Sequence, residues 1–279
     1  MTVAFMLVLS SGILHAIWNM FAKNSRSKNA FLWHCQWVSI ALFLPWIVRD
    51  LIRLEWALAG AACLALSMFV HGAYTILLAK AYTIGDLSQA YPIMRGTSPL
   101  LVPIVGVFVL GEPLSIIAWG GIGVVLLGII MLSELKRGRA DSSRVLLYGF
   151  AVGVCISTYI IIDKIALNYV SYFVLNAATN VGNLLVLSFL LLGKSQLGEE
   201  WRLNKKTIAV SGFIAPGGYL LFLFALTLAP VSALAPMREI GTAIGAMLGI
   251  WLLKEKGGSR RITAAAFITI GVIIIGIYH

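Results

Sequence analysis

Apolar residues run along this chain in long unbroken blocks, and the polar positions between them recur at intervals of roughly one membrane thickness. Breaking the chain at charges, prolines and polar clusters yields ten segments, at 3–22, 30–48, 57–79, 87–110, 114–133, 145–162, 170–192, 208–228, 231–253 and 262–278. About 20 helical residues cross a bilayer core of about 30 Å, so each segment has the length of a span. None alternates apolar and polar residues as a barrel strand would. In lipid a lone segment must satisfy its own backbone hydrogen bonds, so all ten are predicted as helices. The sixth is the weakest, because polar residues crowd its end. The first, MTVAFMLVLSSGILHAIWNMF, has no basic leader and is followed by further spans, so it reads as a retained helix rather than a cleaved signal. The expected fold is an all-α integral membrane protein with ten transmembrane helices.

Composition narrows this further. Of 279 residues, 60% are hydrophobic and only 11% are Asp, Glu, Lys or Arg, against about 25% in soluble domains. Ten spans use most of the chain, which leaves no room for a sizeable extramembrane catalytic domain. Cys35, Cys63 and Cys155 are odd in number, far apart and each inside an apolar block, so no disulfide framework or CxxC metal site follows.

The net charge of +10 would suggest nucleic acid or acidic partners in a soluble protein. Sorted by segment, it reads differently. Loops after odd-numbered segments hold 16 of the 21 lysines and arginines, with Lys136, Arg137, Arg139 and Arg144 in one cluster and Lys254, Lys256, Arg260 and Arg261 in another. Loops after even-numbered segments hold Arg49, Arg53 and Lys164. By the positive-inside rule the odd loops face the cytoplasm and both termini lie outside, in a multi-pass protein of the plasma (inner) membrane. Orientation thus accounts for the charge, and no nucleic-acid partner is expected.

The two halves resemble each other. AYTIGDLSQAYPIMR at 81–95 matches ALTLAPVSALAPMR at 225–238 once one residue is skipped, and VLGEPLS at 109–115 matches LLKEKGG at 252–258, setting Glu112 opposite Glu255. Gly12, Trp18 and Lys23 align with Gly153, Tyr159 and Lys164. A repeat of five spans is odd, so its second copy crosses the membrane in the opposite sense. Two inverted five-helix repeats, at 1–140 and 141–279, are therefore expected, an architecture of many secondary transporters.

These features, with LHAIWNMFAK near the start and the A-x-T…S-x-x-x-P-[IM]…R stretch running into L-x-E, resemble the drug/metabolite transporter superfamily in its EamA-type branch. The resemblance covers essentially the whole chain. It implies a ten-helix transporter, a class associated with export of amino acids and other metabolites. The second repeat departs from it in reading K-E-K-G-G where the first has G-E-P-L-S.

Arg95, Arg238 and Glu239 are the ionisable residues that fall well inside the segments. A charge at the centre of a span costs roughly 2.5–3.5 kcal/mol on insertion scales, so such residues face a cavity or a partner. Each arginine lies about 12 Å deep, from opposite ends of its segment, which brings both near the midplane. One reading has them grip a carboxylate, phosphate or phosphonate through bidentate hydrogen bonds. The other pairs Arg95 with Glu239 as a tie between the halves. Glu239 is also the candidate proton-coupling carboxylate. Ser11, His15, Trp18 and Asn19 share one face of the first helix, and Asn176, Asn180 and Asn183 one face of the seventh. Tyr74, Tyr91, Tyr159 and Tyr219 are candidates to line the same cavity. His34 and His71 read as structural. The asparagines serve either substrate contact or helix–helix hydrogen bonding.

Gly241, Gly245 and Gly249 on the ninth segment, and Gly121 and Gly128 on the fifth, suit close helix packing, within the chain or in a homodimer. Pro92, Pro99, Pro103 and Pro236 are kinks or hinges.

The function expected is a secondary active transporter, an exporter or exchanger of a small anionic or zwitterionic metabolite such as an amino acid or organic acid, working by alternating access around a midplane cavity. No P-loop is present, so energy comes from an ion gradient, exchange or the solute itself. The alternative is an intramembrane enzyme acting on a lipid, but GxSxG, HExxH and paired-aspartate motifs are absent. A receptor or scaffold finds little loop to bind with. No catalytic residue, metal or cofactor is assigned.

Overall fold

The computed structural model describes residues 2–84, 87–132, 142–193, 195–253 and 258–279. Lys136, Arg137, Arg139, Lys194, Lys254, Glu255 and Lys256 lie outside the described residues. The described chain is helical: α1 (Thr2–Asn24), α2 (Lys28–Ile52), α3 (Leu58–Ile84), α4 (Leu87–Phe108), α5 (Ile116–Leu132), α6 (Ser142–Ala166), α7 (Tyr172–Leu191), α8 (Gln196–Leu228), α9 (Val231–Met237), α10 (Ile240–Leu253) and α11 (Gly258–Tyr278). Among these residues seven stretches, in α1, α2, α3, α6, α7, α8 and α11, are long and apolar enough to cross a membrane. α4 and α5 contribute the shorter apolar stretches Met94–Phe108 and Ile116–Met131.

The helix starts follow local chemistry. Ser27 and Ser171 cap α2 and α7, each hydroxyl accepting from the backbone N–H three residues on. After α4 the chain turns through Gly111, whose φ of +69° no β-carbon residue adopts cheaply. That turn delivers Glu112 to the far half of the molecule.

Two expectations are corrected. The ninth segment is not one helix: α9 and α10 meet at Arg238 and Glu239, where the turn tightens into i→i+3 bonds from Glu239 N to Pro236 O (3.1 Å) and from Gly241 N to Arg238 O (3.1 Å). Pro236 has already removed one donor from that ladder. The sixth segment, expected to end at residue 162, continues as α6 to Ala166 and carries Asp163 and Lys164 within it. Lys164 is therefore not a loop residue, and its Nζ donates to the carbonyls of Leu226 (2.6 Å) and Ala229 (3.1 Å).

Packing runs mostly between halves, and its pattern maps onto itself when the halves are exchanged. α1 packs on α8 and α10 as α6 packs on α3 and α4; α2 packs on α8 as α7 packs on α3; α5 lies along α11 and α2 along α7. Close approaches repeat the symmetry: Gly12 of α1 meets Gly241 of α10, and Gly153 of α6 meets Thr97 of α4. The glycine faces are thus used inside the chain at Gly12, Gly241, Gly121 and Gly128, whereas a Cβ at Gly245 would meet nothing within 4 Å among the described residues.

The core lies between these helices and includes Phe222, Leu223, Leu226, Leu234 and Met237. On the outside, Phe69, Leu185, Phe189 and Ile277 stay more than 60% exposed. Large side chains uncovered on this scale suit contact with lipid tails.

Candidate functional site

The α9–α10 break places Arg238 and Glu239 between the two halves, and their environments differ. Glu239 is buried. Its Oε1 lies 3.6 Å from Arg95 Nη1 on α4, and its Oε2 accepts from Thr242 Oγ1 at 2.7 Å. Arg95 Nη2 also sits 2.9 Å from His15 Nε2 on α1. A guanidinium only donates, so in this contact the imidazole nitrogen is the acceptor. One cation thus bridges α1 and the α9–α10 break, and the ion-pair reading of Arg95 and Glu239 describes the geometry found.

Arg238 makes no ion pair among the described residues. Its Cζ stands 4.4 Å from the Phe222 ring centroid and 5.3 Å from that of Tyr219, both on α8. Cation–π contacts of this kind are worth roughly 0.5–2 kcal/mol and leave the guanidinium N–H groups unspent. The residue is half-buried and lies within Coulombic range of His15, His71, Tyr159, Asp163 and Tyr219.

A ring cluster continues from Tyr219. His71 and Tyr159 approach to 4.1 Å between centroids, Tyr74 meets Tyr159 edge-on at 5.9 Å, and His71 meets Tyr219 at 6.0 Å. The Tyr219 hydroxyl donates to Asp163 Oδ2, and Ser67 Oγ donates to Asp163 Oδ1 at 2.5 Å.

Of the residues expected at the site, the fold gathers Arg95, Arg238, Glu239, His15, Tyr74, Tyr159 and Tyr219. Trp18 lies beside His15, 5.5 Å between centroids, with its buried indole Nε1 lacking a hydrogen-bond partner among the described residues. Asn19 is exposed and stands apart. The asparagine face of α7 links helices: Asn180 Nδ2 donates to Ser39 on α2 at 2.7 Å, and Asn183 Oδ1 accepts from Thr75 on α3 at 2.8 Å. Asn176 is buried at 2% exposure.

Sequence reasoning missed Asp163. Drawing segment ends at charges puts such a residue in a loop by construction. The overlooked signal was spacing: Tyr159 and Asp163 stand i, i+4, as do Ser67 and His71, so each pair shares a helix face. Sequence reasoning named Glu112 only as the counterpart of Glu255; in the structure its carboxylate accepts from the backbone N–H groups of Val231 (2.9 Å) and Ser232 (2.8 Å) at the start of α9, with Lys164 Nζ 4.0 Å away.

A multi-pass helical bundle of two matching halves, with a charged and aromatic centre between them, defines an integral membrane protein of transporter type. Residues 2–134 and 143–277 each match the EamA-like transporter family, and the chain belongs to that family. A 64-residue stretch, 23% of the chain, is 36% identical to the uncharacterized protein y4nH of Sinorhizobium fredii (strain NBRC 101917 / NGR234) and spans 55% of that relative's length. In fold, the chain resembles a solved crystal structure with a TM-score of 0.76 at 16% identity, over 97% of this chain and 95% of that one.

Proposed function

We propose that this protein is a secondary transporter of a small anionic or zwitterionic metabolite, an amino acid or organic acid, exported or exchanged by alternating access. Its units are two inverted five-span repeats, 1–140 and 141–279, with α9 and α10 together serving as one of ten spans and both termini on the outer side of the plasma membrane. The observation that carries the reading is the position of Arg238: a guanidinium at a helix break, between the halves, held over aromatic rings and in no ion pair among the described residues. A planar donor fork so placed suits a carboxylate or phosphate oxygen pair. Family membership favours transport over the intramembrane-enzyme alternative.

His15, Trp18, Tyr74, Tyr159 and Tyr219 supply rings and polar edges for the rest of the solute. Arg95 and Glu239 join the halves beside it. Glu239 was expected as the coupling carboxylate, but its engagement by Arg95 and Thr242 favours the tie.

The test is uptake by purified protein in liposomes, using radiolabelled amino and organic acids, for the wild type and Arg238→Ala. Loss of at least tenfold in the variant, with an unchanged elution profile and melting temperature, supports the reading. Undiminished uptake by Arg238→Ala overturns it.

A further inference from the structure

Asp163 is the most deeply buried carboxylate among the described residues, at 0% exposure, and the transport reading gives it no task. It lies where α3, α6 and α8 meet beside the α9–α10 break. Ser67 Oγ donates to Oδ1 and the Tyr219 hydroxyl to Oδ2. Behind Ser67 stands His71, whose Nδ1 is 3.0 Å from the Ser67 carbonyl and 3.4 Å from its hydroxyl. The titratable and charged groups facing this pocket are His71 on α3, Tyr159 on α6 itself, Tyr219 on α8 and Arg238 at the break. Lys164, next in sequence, spends its ammonium on the carbonyls that end α8. No ion pair reaches Asp163 among the described residues.

We propose that Asp163 is a proton-binding site through which transport is coupled to proton movement. The inference rests on the transporter reading above and goes beyond it by assigning the coupling ion and its residue. The chemistry of the partners carries it. Glu239 is held by an arginine, which can only donate. Asp163 is held by two hydroxyls, which both donate and accept. Both donate to the carboxylate, and either can rotate to accept the single O–H of the acid while the other goes on donating, so either form keeps its hydrogen bonds. A carboxylate sealed from water without a paired cation is costly, and the neutral acid is not; water admitted from either face reverses that preference.

Hydronium at one face breaks an O–H bond to pass its proton to an Asp163 carboxyl oxygen and leaves as water; the new O–H bond breaks when water at the other face accepts the proton and becomes hydronium. The change in charge acts on Arg238 within Coulombic range, and linkage makes proton and solute occupancy affect each other reciprocally.

Infrared difference spectra of the full chain in detergent, recorded between two pH values, test this. The expected result is a titrating carboxylic-acid carbonyl band that shifts on labelling with 4-13C-aspartate but not with labelled glutamate. It disappears in Asp163→Asn and persists in Glu239→Gln. Ser67→Ala, which removes one partner and keeps the carboxyl, is expected to displace the aspartate band, so the question stays decidable if Asp163→Asn does not fold. An absent aspartate band, one that survives Asp163→Asn, or one unmoved by Ser67→Ala overturns the proposal. In liposomes, uptake of a radiolabelled mixture of the twenty amino acids is expected to rise at least tenfold with an imposed pH gradient for the wild type. It is expected to lose that response in Asp163→Asn, and a response kept in that variant overturns the coupling. If the wild type moves none of the mixture, the amino-acid reading fails while the infrared result still decides the proton site.

Discussion

Arg95 and Glu239 stand far apart in sequence and meet only because α4 and the α9–α10 break pack together. Each is expensive to leave alone away from water, and removing one takes the opposite charge from beside the other. Glu239→Gln is therefore expected to lower stability by about 1–3 kcal/mol in thermal unfolding in detergent, a range reduced because Arg95 keeps some exposure. Replacing both, Arg95→Met with Glu239→Met, is expected to recover most of that loss. A double variant less stable than the single one would show that the pair is not a unit. At this scale the chain was partly legible. Arg95, Arg238 and Glu239 stand out because charge is rare inside apolar blocks. Which arginine is tied and which is left to aromatic rings was not legible, since that depends on what each meets across the interface between halves.

Among the elements, the α9–α10 break has the greatest consequence, because it puts Arg238 at a helix terminus instead of mid-helix. Pro236 announced a kink, but hydropathy runs smoothly through 231–253 and conceals the break. The start of α9 is secured from the other half by Glu112, so its first donors are satisfied without a residue of its own. At the opposite end of the bundle Glu200 plays a comparable part, accepting from Ser27 N at 2.8 Å and from Asn204 Nδ2 at 2.7 Å.

Helix approach is equally local. A Cβ on Gly241 would stand 2.8 Å from the Gly12 carbonyl oxygen, backbone that cannot turn aside, while one on Gly245 would meet nothing within 4 Å. Gly241→Val is therefore expected to cost about 1–3 kcal/mol through overpacking, and Gly245→Val close to nothing. Equal melting temperatures for the two variants would refute the close packing of α1 on α10. Both glycines belong to the same small-residue spacing, so sequence could not rank them.

For the whole molecule, the proposed orientation rests on the bias of basic residues and on the proposal of five spans in each repeat. Alkaline phosphatase fused after His279 is expected to be active, and a green fluorescent protein fused there to stay dark, in intact cells. The reverse pattern would invert the topology without touching the fold. What sequence alone determined is what lipid enforces on each segment separately, apolar helices with few charges inside them, together with two similar halves and the family they belong to. Only tertiary structure decided how the polar residues left inside are shared out. Arg95 goes to Glu239 and His15, Arg238 to two aromatic rings, and Asp163 to two hydroxyls. The reason is physical: burial and hydrogen bonding are properties of pairs of surfaces, and the partners here come from helices that no spacing along one chain segment brings together.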